Sequence, residues 1–161
     1  MRPLKVPSPE EIQTLKAESS GELQAAIVIM ADLGLRVGAL PAMRINGSTF
    51  ISTSKGKEIA GELPRELKRE IAQAGLSARA PFEGVTAGHI ADTFRWLVGG
   101  LYDAGRIRER YSVHDLRHSF ATRLYLETRD VYRVSRALHH SGVDITTRYL
   151  RSLGLQELVG K

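Results

Sequence analysis

Arg36, Lys55, His114, Arg117, His140 and Tyr149 occur in that order along a chain of 161 residues. Together they are the parts that breaking a phosphodiester without a metal would need. Two guanidinium groups can neutralise the non-bridging oxygens as charge builds on phosphorus. A tyrosine hydroxyl can attack, but with a pKa of about 10 it is roughly a thousandfold under-ionised at neutral pH. A histidine can take its proton, and a lysine can protonate the departing oxygen. Singly, each residue has an ordinary reading: a surface arginine, a cap-proximal His-x-x-Arg pair, a solvated hairpin lysine, a packed tyrosine near the end. Order and spacing carry the argument. The stretch HDLRHSFATRLYLETRDVYRVSRALHHSGVDITTRYL, residues 114–150, holds four of the five histidines, with the tyrosine near its end.

The elements that must position these side chains are mostly helical. SPEEIQTLKAES reads as a helix start, with Ser8 as N-cap, Pro9 at the first helical position and Glu11 three residues after the cap. ELQAAIVIMADLG is apolar nearly all round, which predicts a central buried helix ending near Gly34, with Arg36 in the turn behind it. MRINGSTFISTSKGKEIAGEL changes to β-branched residues punctuated by Asn46-Gly47 and Lys55-Gly56, and predicts two or three short antiparallel strands. PRELKREIAQAG is a polar helix opened by Pro64. Ile90, Phe94, Leu97 and Leu101 form an amphipathic helix with Thr86 as cap. Ser112 and Asp115 cap the next helix, whose core stripe is Val113, Leu116, Phe120 and Leu124; His114 and Arg117 share a face beside it. Val131, Val134 and Leu138 give a further helix, and DITTRYLRS a last one. Trp96, Phe94 and Phe120 are expected in the core.

The bulk numbers fit one domain able to bury its own core: 42% hydrophobic and 25% charged residues. Without cysteine there are no disulfides or thiolate metal sites. No apolar run approaches the roughly 20 residues that span a bilayer, and no signal peptide is visible, so a cytoplasmic protein is expected. The net charge of +5 is uneven. From Gly105 to Arg151 there are ten arginines, no lysine and five acidic residues, so this stretch carries the whole excess. An all-arginine excess suits phosphate, because guanidinium forks match its oxygens in pairs.

These boxes resemble those of the tyrosine recombinases, or phage-type integrases. LGLRVGALPAMR looks like the first arginine box, with Arg36 in the active position. STSKGKEIAGELP is similar to the lysine hairpin, with Lys55 preferred over Lys57. HDLRHSFATRL closely resembles the second box, giving His114 and Arg117, and LHHSGVDITTRYL the third, giving His140 and Tyr149. The resemblance implies an α+β, mainly helical catalytic fold with a small antiparallel sheet. It covers residues 1–161 as a single catalytic domain, with the family's N-terminal core-binding domain expected to be absent. It also implies site-specific DNA recombination, of the kind that integrates and excises mobile elements. Tyr149 would form a 3′-phosphotyrosyl link, Arg36 and Arg117 would clamp the phosphate, and His114 would act as general base. His140 would donate to a phosphate oxygen and Lys55 would act as general acid. No cofactor or metal is implied. The partners would be double-stranded DNA, on which the protein would associate with the nucleoid, and further copies of the chain, four on two recombining duplexes.

Two departures stand out. Where the family has an acidic residue soon after the first arginine, this chain reads Val37-Gly38-Ala39-Leu40; where it has a glycine before the second histidine, this chain has His139. His118 and His139 are read as structural or phosphate-proximal, and His89 has no role. Rival readings are a non-catalytic DNA-binding module, a type IB topoisomerase, and a metal-dependent phosphohydrolase using His114, Asp115, Asp144 and further histidines. The apolar tail residues Leu153, Leu155, Leu158 and Val159 could dock on a neighbour or fold back.

Overall fold

The computed structural model describes residues 4–155. Helix α1 (Pro9–Ala17) starts as its sequence requires: Ser8 Oγ accepts from the Glu11 amide at 3.1 Å, and Glu11 Oε1 accepts from the Ser8 amide at 3.0 Å. Helix α2 (Gly21–Leu33) is the central element, with Ala25 to Ala31 all buried, and it packs against α1, α3, α4 and α5. Burial on every side explains why its sequence shows no polar face.

After α2 the chain makes a 3-10 turn (Val37–Ala39) and enters a three-stranded antiparallel sheet of β1 (Arg44–Asn46), β2 (Thr49–Ser54) and β3 (Lys57–Glu62), in the order β1-β2-β3. Strand β2 alternates exposed and buried residues, with Phe50, Ser52 and Ser54 facing in, as a sheet with one face on the core must. Ser52 Oγ donates to the Ala39 carbonyl and so pins the sheet to the turn after Arg36. Helices α3 (Arg65–Gln73), α4 (Ala87–Asp103), α5 (Val113–Thr128), α6 (Val131–Ala137) and α7 (Val143–Leu150) follow, and Arg151–Leu155 forms a last π-type turn.

The α+β, mainly helical fold expected from the sequence is the one found. Thr86 caps α4 by accepting from the His89 amide at 3.0 Å. The buried stripe of α4 is Ile90, Phe94, Val98 and Leu101; Leu97 is only half-buried. Phe94 and Phe120 are buried, but Trp96 is 84% exposed, which corrects its expected place in the core. Two positions on from Phe94, it turns about 200° round the helix, to the opposite face.

Two hydrophobic clusters meet along α5. One gathers α1–α4, the sheet and α5 as far as Leu116; the other joins Phe120, Ala121 and Tyr125 to Val134, Leu138, Leu150 and Leu153. Leu155 packs beside the second cluster, so the tail folds back on its own domain as far as it is described, while Leu158 and Val159 lie outside the described residues. Gly34 sits at the junction. Its φ of +72° closes α2, and a Cβ there would stand 2.3 Å from a Phe120 ring carbon. The left-handed backbone and the close ring both demand glycine.

Glu11 also ties α1 to the approach of α5. Its carboxylate accepts from the Arg108 amide at 2.8 Å, the Arg108 guanidinium at 2.9 Å and the Tyr111 hydroxyl at 2.8 Å. Burial opposes its ionisation, but the bonds from Arg108, Ser8 and Tyr111 prevail and lower its pKa to about 2. A carboxyl lowered on folding stabilises the fold above its unfolded pKa of 4.5 and loses that contribution as pH falls toward 2. Glu11→Gln should therefore melt below wild type at pH 7, and the difference in Tm should close between pH 4.5 and 2 in thermal scans. Gly34→Ala, carrying both positive-φ strain and overpacking, should lose roughly 2–4 kcal/mol in urea titrations.

Candidate active site

Arg117 is the centre of the site. Only 5% exposed, its guanidinium has no carboxylate partner among the described residues; Nη1 donates to the Gly34 carbonyl at 2.6 Å and Nη2 to the Leu138 carbonyl at 2.9 Å. These bonds join the end of α2, the first turns of α5 and the turn after α6. Burial first, then Arg36, lowers its pKa to about 10, so it stays charged at neutral pH. Three of its five N–H donors remain for another acceptor.

Around it the fold gathers side chains distant in sequence. Arg36, half-buried in the turn behind α2, is close enough to depress the pKa of Arg117, His114 and His140. Among the described residues it has no hydrogen-bonded or ion-paired partner. His114 stands one turn before Arg117, and partial desolvation of its ring, then His118, Arg36 and Arg117, lower its pKa.

The turn 138–140 supplies three groups. The Leu138 carbonyl holds Arg117, the His139 carbonyl accepts from Lys57 Nζ at 3.2 Å, and the His140 ring is anchored by Nδ1 to the buried Thr146 hydroxyl at 2.7 Å. His139 has φ +59°, a left-handed conformation that glycine adopts without strain. The substitution of histidine at that place therefore leaves the backbone left-handed. Burial, with Arg117, Arg36 and Lys57 behind it, lowers the His140 pKa to about 4. Its ring is neutral at pH 7, and when the Thr146 hydroxyl donates to Nδ1, the remaining proton sits on Nε2.

Tyr149 lies between two imidazoles, its ring centroid 5.7 Å from that of His118 and 5.8 Å from that of His140. Its hydroxyl is buried and has no hydrogen-bond partner among the described residues. Burial raises its pKa to about 12, against the pull of Arg117 and Arg36, so the phenol is neutral.

The hairpin separates its two lysines. Lys55 and Gly56 form the two-residue turn, both with positive φ, and Lys55 is exposed with no partner among the described residues. Lys57 opens β3 opposite Ser54, on the same face as Ile59, and that face looks into the domain. Side chains alternate along a strand, so parity turns Lys57 toward the site. Lys57 contributes to the lowered pKa of His139 and His140; Lys55 affects neither. Of the six residues singled out from the sequence, five are brought together and Lys55 stands apart. Lys57, Thr146 and His118 join them. The first was legible in strand parity; the other two depend on packing.

The arginine excess is also sorted by the fold. Arg106, Arg108, Arg110 and Arg123 are each ion-paired with a carboxylate, whereas Arg129, Arg133, Arg136, Arg148 and Arg151 have no such partner among the described residues. The unpaired positive charge thus lies on the α6–α7 side. Among the described residues no group of three His, Asp or Glu side chains could hold a metal ion, and no helix is long and apolar enough to cross a membrane.

The chain shares its fold with XerA recombinase (TM-score 0.71, 21% identity, 98% of this chain and 66% of that one). It shares it also with the Tn1549 transposon integrase in complex with a circular intermediate DNA (TM-score 0.72, 15% identity, 92% and 62%). A third match is a lambda integrase dimer bound to a core site (TM-score 0.70, 18% identity, 92% and 48%). The fold is therefore that of the tyrosine recombinase catalytic domain. Residues 89–154, which hold α5 to α7 and most of the site, match the phage integrase family. No curated protein matches the sequence. The chain spans less than two thirds of the length of each of these three recombinases.

A pair of close guanidiniums without a carboxylate should bind a free oxyanion. Sulfate or phosphate should raise the Tm of wild type above a chloride control at equal ionic strength. Arg36→Ala should lose most of that increment, as read by scanning fluorimetry.

Proposed function

We propose that this domain cuts and rejoins duplex DNA at specific sites through a 3′-phosphotyrosyl intermediate on Tyr149, as a tyrosine recombinase. The observation that carries the reading is the Tyr149 phenol packed against His140, in the same cluster as the Arg36 and Arg117 guanidiniums. Arg36 and the free donors of Arg117 hold the scissile phosphate, and His140 donates from Nε2. Tyr149 Oη bonds to phosphorus as the bond to the 5′ oxygen breaks. The phenol proton passes to His114, kept neutral by burial and by its cationic neighbours. The ammonium of Lys57 protonates the leaving 5′ oxygen. The 5′-hydroxyl of a partner strand then attacks the phosphotyrosyl bond and reverses each transfer. Two duplexes exchanged this way call for four protomers at the moment of exchange. The unpaired arginines of α6 and α7 supply backbone contacts, whose affinity falls steeply with salt.

Nicked DNA substrates that lose a short 5′-hydroxyl fragment on cleavage will trap the adduct. Wild type should form a covalent complex and Tyr149→Phe none, as seen by denaturing gel and peptide mapping. Salt-sensitive binding with no wild-type adduct would favour the non-catalytic module. Lys57→Ala should slow cleavage about a hundredfold and Lys55→Ala only slightly. A sulfur in place of the 5′ bridging oxygen should rescue Lys57→Ala, because a thiolate leaves without a proton. Equal losses in the two lysine variants would reject this assignment.

A further inference from the structure

Both imidazoles flanking Tyr149 are pinned through Nδ1, but only His140 has a part in the transfer just described. His118 lies one turn after Asp115 on α5. The Asp115 carboxylate divides its oxygens: Oδ2 accepts from the Ser112 amide at 2.8 Å, and Oδ1 stands 3.0 Å from His118 Nδ1. The Lys5 carbonyl is 3.2 Å from the same nitrogen. Two acceptors facing one ring nitrogen require the proton there, which fixes both tautomer and ring plane. The side chains of His118 and Asp115 are 13% and 10% exposed, so water competes weakly for these bonds.

The ring so fixed meets Tyr149 at an interplanar angle of 58°, and His140 meets it from elsewhere at 72°. Among the described residues nothing hydrogen-bonds the Tyr149 oxygen, so packing around its ring holds the side chain. Holding a nucleophile by its ring leaves the hydroxyl lone pairs uncommitted and still restricts the directions of attack. We infer that Asp115 and His118 are positioning residues that orient the Tyr149 ring for attack. Asp115 and the Lys5 carbonyl fix the imidazole, and the imidazole fixes the phenol. The inference rests on the reading of Tyr149 as nucleophile, and goes beyond it by giving Asp115 and His118 a place in the reaction.

His118→Asn keeps a donor near the position of Nδ1, and so the bonds to Asp115 and Lys5, but removes the ring. His118→Phe keeps the ring and removes the donor. Two measurements decide the matter. The first is the rate of adduct formation at saturating nicked DNA, with DNA affinity measured separately. The second is the 19F spectrum of protein carrying 3-fluorotyrosine, with the Tyr149 signal identified by its absence in Tyr149→Phe. For His118→Asn, cleavage should slow about tenfold or more while DNA affinity stays within about twofold, and His118→Phe should recover part of the rate. The Tyr149 resonance should shift or broaden in His118→Asn, with the signals of the other tyrosines unmoved. A His118→Asn cleavage rate within about twofold of wild type, or an unmoved Tyr149 resonance, would overturn the inference. Absence of an adduct from wild type would instead count against the nucleophile assignment, and the 19F signal would still judge the placement of the ring.

Discussion

A buried guanidinium without a counterion is costly unless its donors are satisfied, and Arg117 meets that demand with two backbone carbonyls from different parts of the chain. The Gly34 carbonyl is free to receive it because α2 ends there in a left-handed turn. The Leu138 carbonyl is free because α6 has just ended. One cation therefore fixes the exit of α2, and with it Arg36, against α5 and the turn that bears His140. It also keeps donors available for an anion, which a carboxylate partner would have occupied.

The absent acidic residue after Arg36 gains meaning beside this. Carbonyl anchoring orients Arg117 without cancelling its charge, and Arg36 retains its own. The local field is strongly positive, as the lowered pKa values of His114, His139 and His140 register after burial is counted. Elsewhere the same residue type does different work: ion pairs such as those of Arg108 with Glu11 and Arg106 with Glu18 brace α1 against the segment before α5. Electrostatics divides the molecule into a neutralised brace and an unneutralised face.

The neutral Tyr149 phenol, held by its ring with its oxygen unbonded, fits the same scheme. An ionised tyrosine would pair tightly with the two guanidiniums and keep the phosphate out. A neutral one rests among aromatic neighbours and carries its proton until it reacts. The imidazoles beside it are each fixed at the nitrogen away from the reaction, His140 by Thr146 and His118 by Asp115.

Local pattern in the sequence determined the helices, their caps at Ser8 and Thr86, the hairpin turn at Lys55-Gly56 and the identity of most of the cluster. Capping, turn formation and helical periodicity act over a few residues, so they are legible there. Strand parity would also have turned Lys57 inward, since that rule too is local. Three features were decided only by the tertiary structure: the carbonyls that hold Arg117, the Thr146 bond to His140 and the rings around Tyr149. Trp96 lay outside the core for a local reason, its angle on α4, which an aromatic-means-buried rule overlooks. Those three features arise from backbone groups left open at helix ends and from side chains that meet only once α6 and α7 have folded back beside α5. No spacing rule encodes such meetings, because the packing of α5 against α2 and α6, and of α6 against α7, sets them.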